Sequence, residues 1–102
     1  MSFMSIVRPT FDHGRKSSVG ATALQITATA TPTVRGVYVK ADPTNTGVIY
    51  VGNSDVTTGA TADATDGYRL SANEEVFISI DDANKVYVIG SAAGQAVYWL
   101  IT

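Results

Sequence analysis

From Gly20 onward, apolar and polar positions exchange at short intervals and with a period of two, the spacing of an extended chain with two distinct sides. In "RGVYVKA" (35–41) Val37, Val39 and Ala41 fall on one side, Tyr38 and Lys40 on the other. "EVFISI" (75–80) sets Val76, Ile78 and Ile80 against Glu75, Phe77 and Ser79, and "QAVYWLI" (95–101) sets Val97, Trp99 and Ile101 against Tyr98 and Leu100. "VIYVG" (48–52) and "KVYVIG" (85–90) are apolar on both sides. "ATALQITAT" (21–29) alternates weakly, and Pro32 interrupts "ATPTV" (30–34). The intervening pieces, "DPTNTG" (42–47), "DDAN" (81–84) and "SAAG" (91–94), are built from residues that fix φ or tolerate positive φ, and they read as turns. Short strands separated by turns at roughly ten-residue spacing indicate a sandwich or barrel. No segment has a helical period. The expected fold is all-β: a single antiparallel β-sandwich or jelly-roll-like barrel spanning 19–102. Whether neighbours in sequence share a sheet or lie in opposite sheets stays open, since each loop length would set different side chains face to face.

Two stretches fall outside the pattern. The first, "MSFMSIVRPTFDHGRKSS" (1–18), shows no sustained period and holds two of the three phenylalanines, Phe3 and Phe11. Solvated tails are poor in Phe, Ile and Met, so this segment is expected to be an extended N-terminal arm lying on a partner or neighbouring subunit. The second, "NSDVTTGATADATDG" (53–67), has only Val56 to anchor it and reads as a surface-exposed tip.

A chain of 102 residues forms one domain, hiding roughly two-thirds of its unfolded surface. Charged residues make up 16% of it and the net charge is −2, which gives no basic face for nucleic acid. There is no cysteine; a disulfide framework, a thiolate nucleophile and thiolate metal sites are excluded, and the redox compartment is left undetermined. No run approaches the ~20 apolar residues of a membrane helix, and "MSFMSIVRPTF" has no continuous apolar core of a signal peptide. The expectation is a protein with no membrane partner, used without passing through the usual secretory route.

Catalytic chemistry has few candidates. The single histidine, His13, sits in the unpatterned arm and reads as solvated or at a contact. The glycines occupy turn-like positions rather than a phosphate-binding motif. Asp63 and Asp66, or Asp81 and Asp82, offer oxygens to calcium, but their spacing misses the EF-hand loop and aspartate is a natural turn residue. Glu74 and Glu75 are adjacent, so on a strand they point to opposite sides and form no acid–base pair. No catalytic residue, metal ligand or cofactor is expected, and the chain is read as not an enzyme. The aromatics carry more information. Tyr38, Tyr50, Phe77, Tyr87 and Tyr98 all lie opposite the main aliphatic set of their strands. With Leu100, they are expected to form a subunit interface, because tyrosine buries a large area while keeping one polar end and an antiparallel sheet ordinarily leaves one face wet.

The run "GVYVKADPTNTGVIYVGNSDVTTG", followed by "DGYRLSANEEVFISIDDANKVYVIGSAAGQAVYWL", resembles the small β-rich virion proteins of tailed bacteriophages over Val37 to Leu100. It shares with them the word order "KAD", "NTG", "IYVGNSDVT", a glycine-rich loop, an "L-x-x-x-E" step and "I-x-I-D-D" before a last apolar strand. The resemblance is to capsid decoration (cement) proteins, head fibres and fibre modules. It implies a β-sandwich, often trimeric, bound to the outer surface of the phage head after synthesis in the host cytoplasm, with no enzyme activity. On that reading the partners are the major capsid protein and further copies of the chain. Phe3, Ile6, Val7 and Phe11 would be anchors of a capsid-binding arm, and Arg8, Arg15 and Lys16 would pair with capsid carboxylates. The alternative is a phage fibre or carbohydrate-binding module acting in host attachment through loop 53–67 and exposed aromatics, although Trp99, the only tryptophan, has core parity.

Overall fold

The computed structural model describes residues 11–59 and 63–102. Eight strands account for the architecture: β1 (Asp12–Val19), β2 (Leu24–Gln25), β3 (Val37–Ala41), β4 (Ile49–Gly52), β5 (Tyr68–Leu70), β6 (Glu75–Ile78), β7 (Tyr87–Gly90) and β8 (Gln95–Ile101), with one 3₁₀ turn at Ala83–Lys85. They form two four-stranded sheets, in the order β1-β8-β3-β6 and β2-β7-β4-β5. Every strand pairing is antiparallel. The protein is an all-β sandwich. Only β4 and β5 are consecutive in the chain and also neighbours in a sheet; every other connection between these strands crosses from one sheet to the other, the jelly-roll order.

The period-two pattern is realised with the expected parity. Val37, Val39, Ala41, Val97 and Ile101 of the first sheet face Ile49, Leu70 and Val88 of the second, all at 2% exposure or less. Burying one such side chain is worth about 1.5–3 kcal/mol, which is why the register is firmly set: a one-residue slip would send the whole set to solvent. Trp99 closes the β1 side of this core.

The turns are tied in by side chains that imitate backbone. Asn45 forms a reciprocal amide pair with Ala96: its Nδ2 donates to the Ala96 carbonyl and its Oδ1 accepts from the Ala96 N–H, both at 2.9 Å. Gln95, 1% exposed, accepts from Gly47 N–H at 2.8 Å and donates to the Ala93 carbonyl at 2.8 Å and to Thr46 Oγ1 at 3.2 Å. A buried amide left without such partners would be costly. Here it fastens 42–47 and 91–94 to the sandwich.

The strands differ from the sequence expectations at three places. Residues 12–16, expected in the arm, form the regular part of β1 and pair with β8 from Asp12↔Ile101 to Lys16↔Val97. The expected arm boundary at residue 18 thus falls inside a strand. This strand shows no apolar alternation because its core-side position opposite Trp99 is Gly14: a Cβ there would lie 2.6 Å from the indole Cζ2. The hydrophobic surface is supplied by the partner strand and β1 supplies only clearance. The segment 21–29 contains only the two-residue β2. Strand β5 has no counterpart in the sequence reading, since three residues are too few to show a period. Loop 53–67, read as a surface-exposed tip anchored by Val56, exposes Asn53, Ser54 and Asp55 and is fastened at its base: Val56 is 4% exposed, Thr57 and Asp66 form an isolated bridge, and the Thr57 N–H donates to the Thr65 carbonyl at 2.9 Å.

Candidate protein-binding face

The outer face of the first sheet gathers side chains from four strands into two rows. Direct cross-strand register places His13, Leu100, Tyr38 and Phe77 in one row and Arg15, Tyr98, Lys40 and Glu75 in the next. Side chains directly opposite across strands stand close enough to touch, and two of these pairs do. Tyr38 and Phe77 pack with ring centroids 4.8 Å apart at 54°, a tilted arrangement favoured by their quadrupoles. The Arg15 guanidinium lies over the Tyr98 ring at 5.5 Å. Tyr38 (40%), Phe77 (40%) and Tyr98 (43%) nevertheless remain substantially exposed. A recess of about 290 Å³ opens between the rows, lined by His13, Tyr38, Lys40, Glu75, Tyr98 and Leu100.

The charged margin of this face is fixed rather than loose. Arg15 Nη2 donates to Asp42 Oδ2 at 3.0 Å. The Asp42 Oδ1 accepts from the Thr44 N–H at 2.8 Å and the Thr44 hydroxyl at 2.7 Å. Those two Thr44 hydrogen bonds, and then Arg15, hold the Asp42 carboxyl at a pKa of about 2. The Arg15 guanidinium is raised in turn, first by Asp42 and then by Tyr98. Aspartate at 42 is therefore both the turn residue expected from "DPTNTG" and the anchor of the arginine that lies on the aromatic face.

The residues expected at a capsid-binding or subunit surface are distributed as follows. Phe3, Ile6, Val7 and Arg8 lie outside the described residues. Phe11 is 70% exposed just before β1, its ring 6.2 Å from that of His13. Arg15 and Lys16 lie within β1. Tyr38, Phe77, Tyr98 and Leu100 come together in the two rows. Tyr50 and Tyr87 are on the outer side of the other sheet, both half-buried. There Tyr50 is approached by its own loop, its hydroxyl 3.6 Å from where a Cβ on Gly59 would stand. The aromatics thus divide between the two sheets, and among the described residues the β1-β8-β3-β6 face gathers the open cluster. His13, Lys40 and Glu75 join that cluster. Their outward parity was legible in sequence for Lys40 and Glu75, but the register that lines them up with tyrosines was not.

Of the aspartates weighed for calcium, Asp66, Asp81 and Asp82 have structural partners, and Asp63 is exposed. Asp82 Oδ1 accepts from the N–H groups of Thr31 and Asn84, both at 2.9 Å, capping the 3₁₀ turn. Asp81 pairs with Lys85 at 2.7 Å, which lowers the Asp81 carboxyl pKa. Asp66 accepts from Thr57 Oγ1 at 3.1 Å. Among the described residues, no group of three or more His, Cys, Asp or Glu side chains comes together as a metal site, and no helix is long and apolar enough to cross a membrane.

No family model matches this chain, and no curated protein matches it. Among solved structures, it is similar to a chain described under "Bacillus endospore appendages form a novel family of disulfide-linked pili", at 17% identity and a TM-score of 0.40, over 100% of this chain and 96% of that one. A likeness of that degree carries no argument about function.

Proposed function

We propose that this protein is a structural virion component, a decoration protein that binds the outer surface of a tailed-phage head through the β1-β8-β3-β6 face. The observation carrying the reading is the cluster of Tyr38, Phe77, Tyr98 and Leu100, four large side chains on one open sheet face. Tyrosine-rich patches with a charged margin have the composition of protein interfaces. In this reading the aromatic rows supply buried area against the major capsid protein. Arg15, Lys40 and Glu75 at the margin orient the encounter more than they strengthen it. Residues 1–10 are apolar and basic in sequence and would supply further capsid contacts. The protein works by burying area between capsomers and has no catalytic step.

The test is cosedimentation with heads assembled from the major capsid protein of the same phage. The full chain should sediment with the heads, whereas Tyr38→Ala/Tyr98→Ala and a chain lacking residues 1–10 should stay in the supernatant while melting as cooperatively as the parent. Unchanged decoration by both variants would refute the reading. A second reading, a glycan-binding module of a fibre, is favoured by the recess lined with Tyr38 and Tyr98 beside Lys40 and Glu75. Specific glycan binding that disappears in the tyrosine variant, without any binding to heads, would select it instead.

A further inference from the structure

The two outer strands of the first sheet, β1 and β6, carry opposite charge along matching lengths. Among the described residues, no strand pairs with the outer edge of either one. Exposed edges of this kind are templates for another strand, and proteins ordinarily blunt them. The free edge of β1 presents Asp12 at its start and then His13, Arg15 and Lys16, a net positive run, while that of β6 presents Glu75, continued by Glu74. The regular part of β1 ends at Lys16: a bulge follows before Val19, with Ser18 at φ 58°. That leaves 12–16 straight, five residues, matched by 74–78 on the other edge, where the Ala41 N–H still donates to the Glu74 carbonyl at 2.8 Å.

We propose that this sheet continues from molecule to molecule, with β1 of one copy adding to the free edge of β6 of the next. Strand direction allows it without any turning of the second copy. The four strands alternate, so β1 and β6 run in opposite directions, and a neighbour in the same orientation presents its β1 antiparallel to β6. Carrying the existing rows straight across the junction fixes the register. Glu75 then meets Arg15 of the next copy and Glu74 meets its Lys16, while Phe77 meets its His13, beside which Phe11 stands. Arg15 has donors to spare, since only Nη2 is engaged with Asp42.

Charge also favours this pairing over the symmetric alternatives. A twofold pairing of β6 with itself across 74–78 would set Glu74 opposite Ile78 and Glu75 opposite Phe77, leaving both carboxylates without a cation, and β1 with itself across 12–16 would set Arg15 opposite His13. The head-to-tail contact propagates into a ring or a filament according to the rotation per copy. The core-facing side gains as well. Val76 and Ile78 of β6, and Ile80 just beyond it, are only half-buried along a recess of about 290 Å³ shared with Val51, Tyr68 and Val86. A strand laid along β6 would cover that opening. This inference concerns the sheet edges and does not rest on what the aromatic face binds.

The absence of native cysteine makes the junction directly testable. Within one molecule β1 and β6 are three strand spacings apart, about 14 Å, too far for a disulfide. A His13→Cys/Phe77→Cys chain keeps both charge pairs. On mild oxidation it should give a ladder of covalent dimers, trimers and higher species on a non-reducing gel, while each single variant stops at a dimer. Charge reversal supplies the second measurement. By sedimentation velocity, Glu74→Lys/Glu75→Lys and Arg15→Glu/Lys16→Glu should each self-associate at least about tenfold more weakly than the parent. Mixed together, they should regain association, because each then offers the edge that the other lacks. Circular dichroism melts establish that both variants are folded. A parent chain that stays monomeric, one that associates without the ladder, or reversed variants that associate as well as the parent would each overturn the proposal. Occupation of the β6 edge by residues 1–10 of a neighbouring copy would appear as association without the His13–Phe77 cross-link, and would overturn the proposal as well.

Discussion

Gly14 is the point at which the place of β1 in the fold can be tested by a single methyl group. The Cβ of Gly14→Ala would stand 2.6 Å from Cζ2, 2.7 Å from Cε2 and 2.8 Å from Nε1 of Trp99. These separations are well inside ordinary van der Waals contact, and three ring atoms at once cannot be avoided by a small rotation. The indole has little room to retreat, because Val39 beside it and Val97 two residues before it are fully buried. Either the core absorbs the strain, at about 1–3 kcal/mol for overpacking, or β1 peels from β8. As an edge strand, β1 can open locally before the rest of the sandwich, which sets the upper limit on the cost. For a domain of this size, that range lowers the melting temperature by about 4–20 °C. The assay is thermal denaturation followed by circular dichroism, together with emission from the chain's single tryptophan, which is 8% exposed in the native protein. If the strand opens, the emission shifts to the red before the global transition. If the core takes the strain, the emission holds and the midpoint falls. A Gly14→Ala protein with the parent's midpoint and spectrum would mean that the ring does not lie over this strand, and the account of β1 would fail.

Two other substitutions probe the polar fastenings. Gln95→Leu keeps the approximate volume but leaves the Gly47 N–H and the Ala93 carbonyl without their partner, and should cost about 2–6 kcal/mol at roughly 1–3 for each orphaned group, measured by urea unfolding; a loss under about 1 kcal/mol would show that water replaces the amide. Asp42 governs the acid limb. Its folded pKa of about 2 lies below the ordinary 3.8, so its stabilising contribution is complete above pH ~4 and is lost as pH falls through about 2. Asp42→Asn should therefore melt below the parent at pH 6, with a gap that narrows steadily on acidification from pH 4 to pH 2. A gap independent of pH would show that the carboxylate's charge is not what Thr44 and Arg15 hold.

The chain by itself determined the class of fold and the side on which each strong strand is buried. Val37, Val39, Val97, Trp99 and Ile101 alternate with polar or aromatic neighbours, and a period of two leaves a strand no other way to hide them. It likewise located the turns at 42–47, 81–84 and 91–94, because Pro, Gly, Asn and Asp act through their own backbone preferences. What only the tertiary structure decided was which strand lies beside which, since pairing depends on partners distant in sequence. β1 carries no apolar period because an edge strand beneath an indole needs a glycine rather than a hydrophobe. β5 is too short to announce itself, and the shared rows of Tyr38, Phe77, Tyr98 and Leu100 exist only after β3, β6 and β8 have come into register. The opposite charges of 74–75 and 15–16 are plain in the sequence, yet only the strand order sets them on the two outer strands of one sheet, whose far edges pair with no strand among the described residues.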